Sequence, residues 1–202
     1  MIENLYPTPI YYSLVDNVED IQKEIGTCMK KVKFFIKKDW DPSLYLSNSF
    51  EENILKTHHL KKLEKEIMKH LRNYCTALGP ASLYVFEKSF ENKTTRFQSW
   101  FTLCKKGNYG HIHSHGYMDI SGCYYYKTNG KDGNIFFESP NKLLEASQCY
   151  YPLAERWEHQ PLVGKLLLFP GWLPHGIHYN NTNNKRISLS FNIQMLQADK
   201  NK

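Results

Sequence analysis

Three histidines stand at alternate positions in Gly107-Asn108-Tyr109-Gly110-His111-Ile112-His113-Ser114-His115-Gly116. In an extended strand, alternate side chains share a face, so His111, His113 and His115 would line one side of one strand. Imidazole is the commonest protein ligand for mid-first-row transition metals, and this spacing points to metal binding. A fourth histidine, His175, closes Phe169-Pro170-Gly171-Trp172-Leu173-Pro174-His175, and Lys185-Arg186-Ile187-Ser188 follows an Asn-rich stretch. Two β-type runs around Asn180-Asn181-Thr182-Asn183 read as a hairpin. With those four residues as the loop, Ile177 faces Arg186 and His175 faces Ser188. Directly opposed residues share a face, so His175, Arg186 and Ser188 would point the same way, with His178 on the other side.

These residues need a framework, and the chain offers one in two textures. Pro9 to Val15 is a short β-like run. Ile21, Ile25, Cys28, Met29 and Val32 recur at helical spacing after Asp16-Asn17. Phe34 to Trp40, with two lysines among aromatics, reads as a helix end with snorkelling lysines. A second helix is expected over about Leu55 to Leu78, with the stripe Leu60, Leu63, Ile67, Leu71, Tyr74 and Leu78 toward a core. His58, His59 and His70 read as surface residues. Gly79-Pro80 ends that helix, and from Ala81 the pattern turns to β. Strands are expected at Leu83–Glu87, Thr95–Cys104, Asp119–Lys127, Asn134–Glu138, Lys165–Phe169, Pro174–Tyr179 and Lys185–Met195, and Asn141 to Pro161 as a polar, irregular lid. The expected fold is therefore α+β and mainly β. Short strands with Gly, Asn and Pro turns suggest a sandwich or barrel, a double-stranded β-helix of jelly-roll or cupin type with two N-terminal helices on one sheet.

The 202 residues fit one domain with a sizeable core: a helical part over 1–80, a β core over 81–196 and a frayed tail over 197–202. Aromatics make up 14%, which suits a β-rich interior. The net charge of +6 is carried by scattered lysines. No basic stripe points to nucleic acid, and no window is apolar enough for a membrane span. Five cysteines, at 28, 75, 104, 123 and 149, form no close pairs. That pattern, with no signal-peptide-like start, suggests reduced thiols and a cytoplasmic setting.

The combined motifs resemble the iron(II)- and 2-oxoglutarate-dependent oxygenases. An H-x-D/E pair, a distal His and an Arg about ten residues later in R-x-S mark that superfamily. The closest resemblance is to a bacterial and phage group with H-x-H, S-G-x-Y-Y, F-P-x-W-L-x-H and R-I-S-x-S-F-N. Here these are His113-Ser114-His115, Ser121-Gly122-Cys123-Tyr124-Tyr125, Phe169 to His175, and Arg186-Ile187-Ser188-Leu189-Ser190-Phe191-Asn192. The resemblance implies an enzyme using Fe(II), 2-oxoglutarate and O2, a hydroxylase that couples decarboxylation of 2-oxoglutarate to succinate with oxidation of a small-molecule or peptide substrate. It implies His113 and His175 as metal ligands and Arg186 with Ser188 as the holder of the far carboxylate of 2-oxoglutarate. Arg presents a planar donor fork suited to that group.

This sequence departs from the superfamily at the second ligand. The usual facial triad is two His and one carboxylate, and the carboxylate position holds His115. Asp119 is the nearest acid, but in a straight strand it would lie roughly 13 Å from His115. It could approach a metal only if Gly116 turned the chain. The expected ligand set is His113, His115 and His175, with Asp119 or water as alternatives for His115. A tyrosine, Tyr109, Tyr124 or Tyr126, is expected to add a hydroxyl to the co-substrate carboxylate, with Tyr124 preferred. Asn192 shares the parity of Arg186 and Ser188 and either faces the cavity or packs. The competing reading is a non-catalytic or non-oxidative cupin-like metal binder, which would have no need of a cation aimed into the cavity.

Overall fold

A computed structural model describes residues 6–37, 41–47 and 53–195. The expected tail beyond Met195 and part of the lysine-rich stretch before Asp41 lie outside the described residues. Along the chain run β1 (Tyr11–Leu14), α1 (Val18–Met29), β2 (Phe35–Lys37), β3 (Asp41–Leu46), α2 (Ile54–Thr57), α3 (Lys61–Leu78) and α4 (Pro80–Glu91). The β core follows: β4 (Thr95–Cys104), β5 (Gly110–His113), β6 (Ile120–Lys127), β7 (Ile135–Phe137), β8 (Trp157–His159), β9 (Lys165–Pro170), β10 (His175–Ile177) and β11 (Arg186–Met195).

The strands form two antiparallel sheets. The larger has seven strands in the order β1-β9-β6-β11-β4-β3-β2, and the smaller has four in the order β5-β10-β7-β8. In the large sheet β11 lies between β4 and β6, pairing Ser188 with Thr102 and Tyr125, and Asn192 with Gln98 and Ser121. One face of this sheet, through Phe101, Ile120, Tyr124, Leu166, Leu168, Leu189 and Phe191, packs on the helices, which contribute Ile21, Ile25, Leu63, Ile67 and Leu71. The other face meets the small sheet through Tyr125, Leu167 and Phe169 against Ile135 and Phe137. No helix among the described residues is long and apolar enough to cross a membrane.

Several expectations are corrected. Residues 83–87 are helical, within α4, where Pro80 at the first turn starts a helix as readily as it stops one. Among the described residues, the segment before β4 therefore carries four helices rather than two, and also three strands of the large sheet. Phe35–Lys37 is a strand, not a helix end. His70 is buried, 4% exposed, with Nδ1 2.7 Å from the Tyr11 hydroxyl. Leu78 is exposed rather than in the apolar stripe. The 141–161 segment folds into two short 3-10 turns and then β8, the edge of the small sheet.

The expected hairpin does not exist. β10 belongs to the small sheet and β11 to the large one, so the Asn-rich segment carries the chain from one sheet to the other. Asn180 fastens that crossing. Its backbone amide donates to Asn108 O at 2.9 Å, and its side-chain amide donates to Cys104 O and Asn184 O. A polar turn between two β runs looks the same in sequence whether the strands pair or face each other.

Candidate active site

The smaller sheet's first two strands supply two of the histidines. β5 and β10 pair His113 directly opposite His175, which brings their ring centroids to 4.4 Å. His115 follows β5 at the start of a turn. Gly116 adopts φ +56°, in the region that favours glycine, and Met118 N donates back to His115 O. Gly171 supports the turn from the other side: its carbonyl accepts from His115 N at 2.7 Å, and a Cβ on Gly171 would come within 2.1 Å of Met118 O. The outcome is three imidazoles whose ligand-capable atoms lie within 4.8 Å of one another.

Each ring is held by Nδ1. His113 Nδ1 lies 2.8 Å from the His111 carbonyl, and His175 Nδ1 lies 2.8 Å from the Leu173 carbonyl. A carbonyl only accepts, so both rings carry their proton on Nδ1 and present Nε2 as the donor atom. His115 Nδ1 lies 3.2 Å from Asn192 Nδ2, and the Ser121 hydroxyl donates to Asn192 Oδ1 at 2.7 Å. Phe169 stands edge-on to His175, with centroids 4.7 Å apart, and Trp100 edge-on to His115 at 6.5 Å. Burial, then the neighbouring His113, push the His115 pKa down to about 3. Burial, then His113 and His115, push His175 well below the usual imidazole range. Both rings are therefore neutral lone-pair donors at neutral pH, the form a metal requires.

The sequence-predicted residues divide as follows. His111 is exposed against the Tyr109 ring and stays outside the cluster. Gly116 does turn the chain, yet Asp119 swings away from the metal cluster: it is exposed, and its carboxylate accepts from Met195 N at 2.6 Å. Among the described residues no carboxylate joins the three histidines.

Between the sheets a cavity runs from the imidazoles to Arg186. His113, His115, His175, Ser121, Tyr125, Arg186, Ser188 and Asn192 are among its lining residues. His175, Arg186 and Ser188 thus do share a space, but they meet across the gap between two sheets. Arg186 is 1% exposed. Its Nη1 donates to Gly133 O, its Nε has no hydrogen-bond partner, and it forms no ion pair among the described residues. A buried guanidinium without a counter-charge is costly unless an anion arrives.

Tyr124 is a correction. It points to the opposite face of β6, into the core beneath the helices, whereas Tyr125 lines the cavity. Burial, then Cys123, raises the Tyr125 phenol pKa well above its usual value, while Arg186 opposes the rise, which places the phenol within the guanidinium's field. The polar Ser121, two positions from Cys123 and four from Tyr125, marks the cavity parity of β6 and was the available signal.

Residues 98–192 match the model of a family described as "Putative 2OG-Fe(II) oxygenase". No curated protein matches the chain in sequence. A prolyl-4-hydroxylase from Pseudomonas putida has a similar structure, with TM-score 0.60, 10% identity, and 94% of each chain covered. HygX from Streptomyces hygroscopicus, solved with nickel and 2-oxoglutarate bound, gives TM-score 0.58 at 10% identity, covering 93% of this chain and 83% of that one. SnoN, an α-ketoglutarate-dependent epimerase of nogalamycin biosynthesis, gives 0.56 at 10% identity, covering 91% and 77%. These likenesses show a shared fold. The family match spans all three histidines and Arg186 and, with the shared fold, supports the 2-oxoglutarate/Fe(II)-dependent oxygenase superfamily; the protein is an enzyme using Fe(II), 2-oxoglutarate and O2.

Proposed function

We propose that the protein is a hydroxylase of a small-molecule or peptide substrate, with Fe(II) held by His113, His115 and His175 and 2-oxoglutarate held at its far carboxylate by Arg186. One observation carries this reading: three imidazoles converge at one end of an inter-sheet cavity whose wall also carries a buried guanidinium with an unpartnered Nε. Fe(II) and 2-oxoglutarate, when bound, supply oxygen activation and the decarboxylation that yields succinate and CO2 and oxidises the substrate.

This chain's own residues do the positioning. The backbone carbonyls of His111 and Leu173 fix two ligand rings. Arg186 offers a charged fork, and Ser188 and Tyr125 offer hydroxyls to the same carboxylate; Tyr125 takes the role expected of Tyr124. The apolar layer of Phe137, Leu167 and Phe169 keeps water from one side of the site. With imidazole in place of a carboxylate, the centre keeps one more positive charge, which strengthens its pull on the anionic co-substrate. The unpartnered Arg186 Nε weighs against a metal binder without 2-oxoglutarate.

We further read the two sheets as a double-stranded β-helix of jelly-roll type, residues 1–202 as one domain, and the chain as a cytoplasmic member of the bacterial and phage group that shares its H-x-H and R-I-S-x-S-F-N motifs. No nucleic-acid or membrane partner is part of this reading. Purified protein with Fe(II), O2 and 2-oxoglutarate should form succinate slowly even without the true substrate. A folded, iron-replete protein that neither forms succinate nor binds 2-oxoglutarate would overturn the proposal.

A further inference from the structure

We propose that Asn192, braced by Ser121, is the positioning residue that makes His115 a metal ligand, by holding the proton of its ring on Nδ1. The inference deepens the three-imidazole reading and rests on it. The observation behind it is an asymmetry. His113 and His175 each set their tautomer through a backbone carbonyl two residues earlier in their own chain. Among the described residues His115 has no such carbonyl; its Nδ1 meets a side-chain amide.

An amide can present either end. With Nδ2 toward His115, Asn192 donates to an unprotonated Nδ1, and the neutral ring must then carry its proton on Nε2, where it cannot bind a metal. A half-turn of the amide presents Oδ1 instead. His115 Nδ1–H then donates to Oδ1, Nε2 exposes its lone pair, and Asn192 Nδ2 donates to the Ser121 hydroxyl, which accepts as readily as it donates. Both orientations satisfy the Asn192–Ser121 pair, so the hydroxyl lets the amide choose. A metal selects the second orientation because only that one frees Nε2.

The surroundings hold this pair in place. Asn192 is 5% exposed and Ser121 1% exposed. The two stand directly opposite on β11 and β6, in the fully paired middle of the large sheet. A carboxylate ligand has no tautomer to fix, so a chain with histidine at this position needs a hydrogen-bond acceptor that one with aspartate would not. Groups that hold the outer nitrogen of a ligand histidine typically contribute about 10- to 100-fold in metal affinity.

The test is Co(II) affinity under anoxia for wild type, His115→Ala, Asn192→Leu and Asn192→Asp, with folding checked for each. Asn192→Leu should bind about 10- to 100-fold more weakly, and Asn192→Asp, which keeps an acceptor, should recover most or all of the affinity. Nitrogen-15 imidazole spectra of Zn(II)-loaded wild type should show His115 bound through Nε2 with Nδ1 protonated. That readout needs no variant to fold and would not respond to a purely structural role. Wild-type affinity in Asn192→Leu, an equal loss in Asn192→Asp, or a His115 ring bound through Nδ1 would overturn the inference. If His115→Ala also binds like wild type, the three-imidazole reading itself falls; if only His115→Ala is weakened, the role of Asn192 alone falls.

Discussion

Strand β11 turns one row of side chains to the helices and the other to the cavity. The helix side is Ile187, Leu189, Phe191 and Ile193, and the cavity side is Arg186, Ser188, Ser190 and Asn192. Its neighbours repeat the division: Ile120 and Tyr124 against Ser121 and Tyr125 on β6, Phe97 and Phe101 against Gln98 and Thr102 on β4. Both rows are largely out of water, with Leu189 0% and Arg186 1% exposed. An apolar face beneath helices needs no further account. A buried polar face is costly unless its groups find partners; here Ser121 pairs with Asn192 and Thr102 with Ser190 within the sheet, while Arg186 Nε is left without one. The helix-facing row holds the fold, and the cavity-facing row is available to a ligand.

Substitutions on the two faces should separate stability from binding. Leu189→Ala should lose about 2–5 kcal/mol of folding free energy, read by chemical denaturation, and the folded fraction should keep its affinity for 2-oxoglutarate. Arg186→Ala should do the reverse. A hydrogen bond to a charged group contributes about 1.5–3 kcal/mol, so 2-oxoglutarate affinity should fall roughly 10- to 150-fold, less in Arg186→Lys, while metal content survives. Unchanged 2-oxoglutarate binding in Arg186→Ala would remove the ligand from the Arg186 end of the cavity.

A subtler contrast lies within two adjacent residues. Tyr125→Phe should weaken 2-oxoglutarate by the worth of one ordinary hydrogen bond, about 0.5–1.5 kcal/mol, measured by calorimetry. Tyr124→Phe should leave that affinity unchanged. The opposite pattern would mean that the two faces of β6 have been exchanged.

The same alternation explains how legible this molecule is from its sequence. The strand β11 is visible because its period of two is regular over a long run, and β4, β6 and β9 are visible as apolar and aromatic runs bounded by turn residues. What the period does not reveal is that the polar side is buried too, since the same pattern describes a sheet with one wet face. Parity alone therefore joined Arg186 and Ser188 but did not bring Tyr125 among the expected Tyr109, Tyr124 and Tyr126. The helix Pro80–Glu91 was hidden because Pro80 can begin a helix as well as end one, and Leu83 to Glu87 is rich in residues common in strands. The His113–His175 encounter was foreseen by residue type. The route to it was not, because strand pairing across a polar turn is decided by tertiary packing. His70 was misjudged for a similar reason: only the fold supplies Tyr11 as its partner.

Iron binding in His115→Ala and Asp119→Ala tests most directly whether this centre works without a carboxylate. Stoichiometry and affinity for Fe(II) should be measured anaerobically in both variants, with folding verified. His115 lies in the imidazole cluster while Asp119 caps the end of β11 through Met195 N. His115→Ala should therefore lose iron sharply, and Asp119→Ala should bind it as wild type does. Normal iron affinity in His115→Ala, together with its loss in Asp119→Ala, would contradict the three-imidazole centre and return the second ligand to the carboxylate.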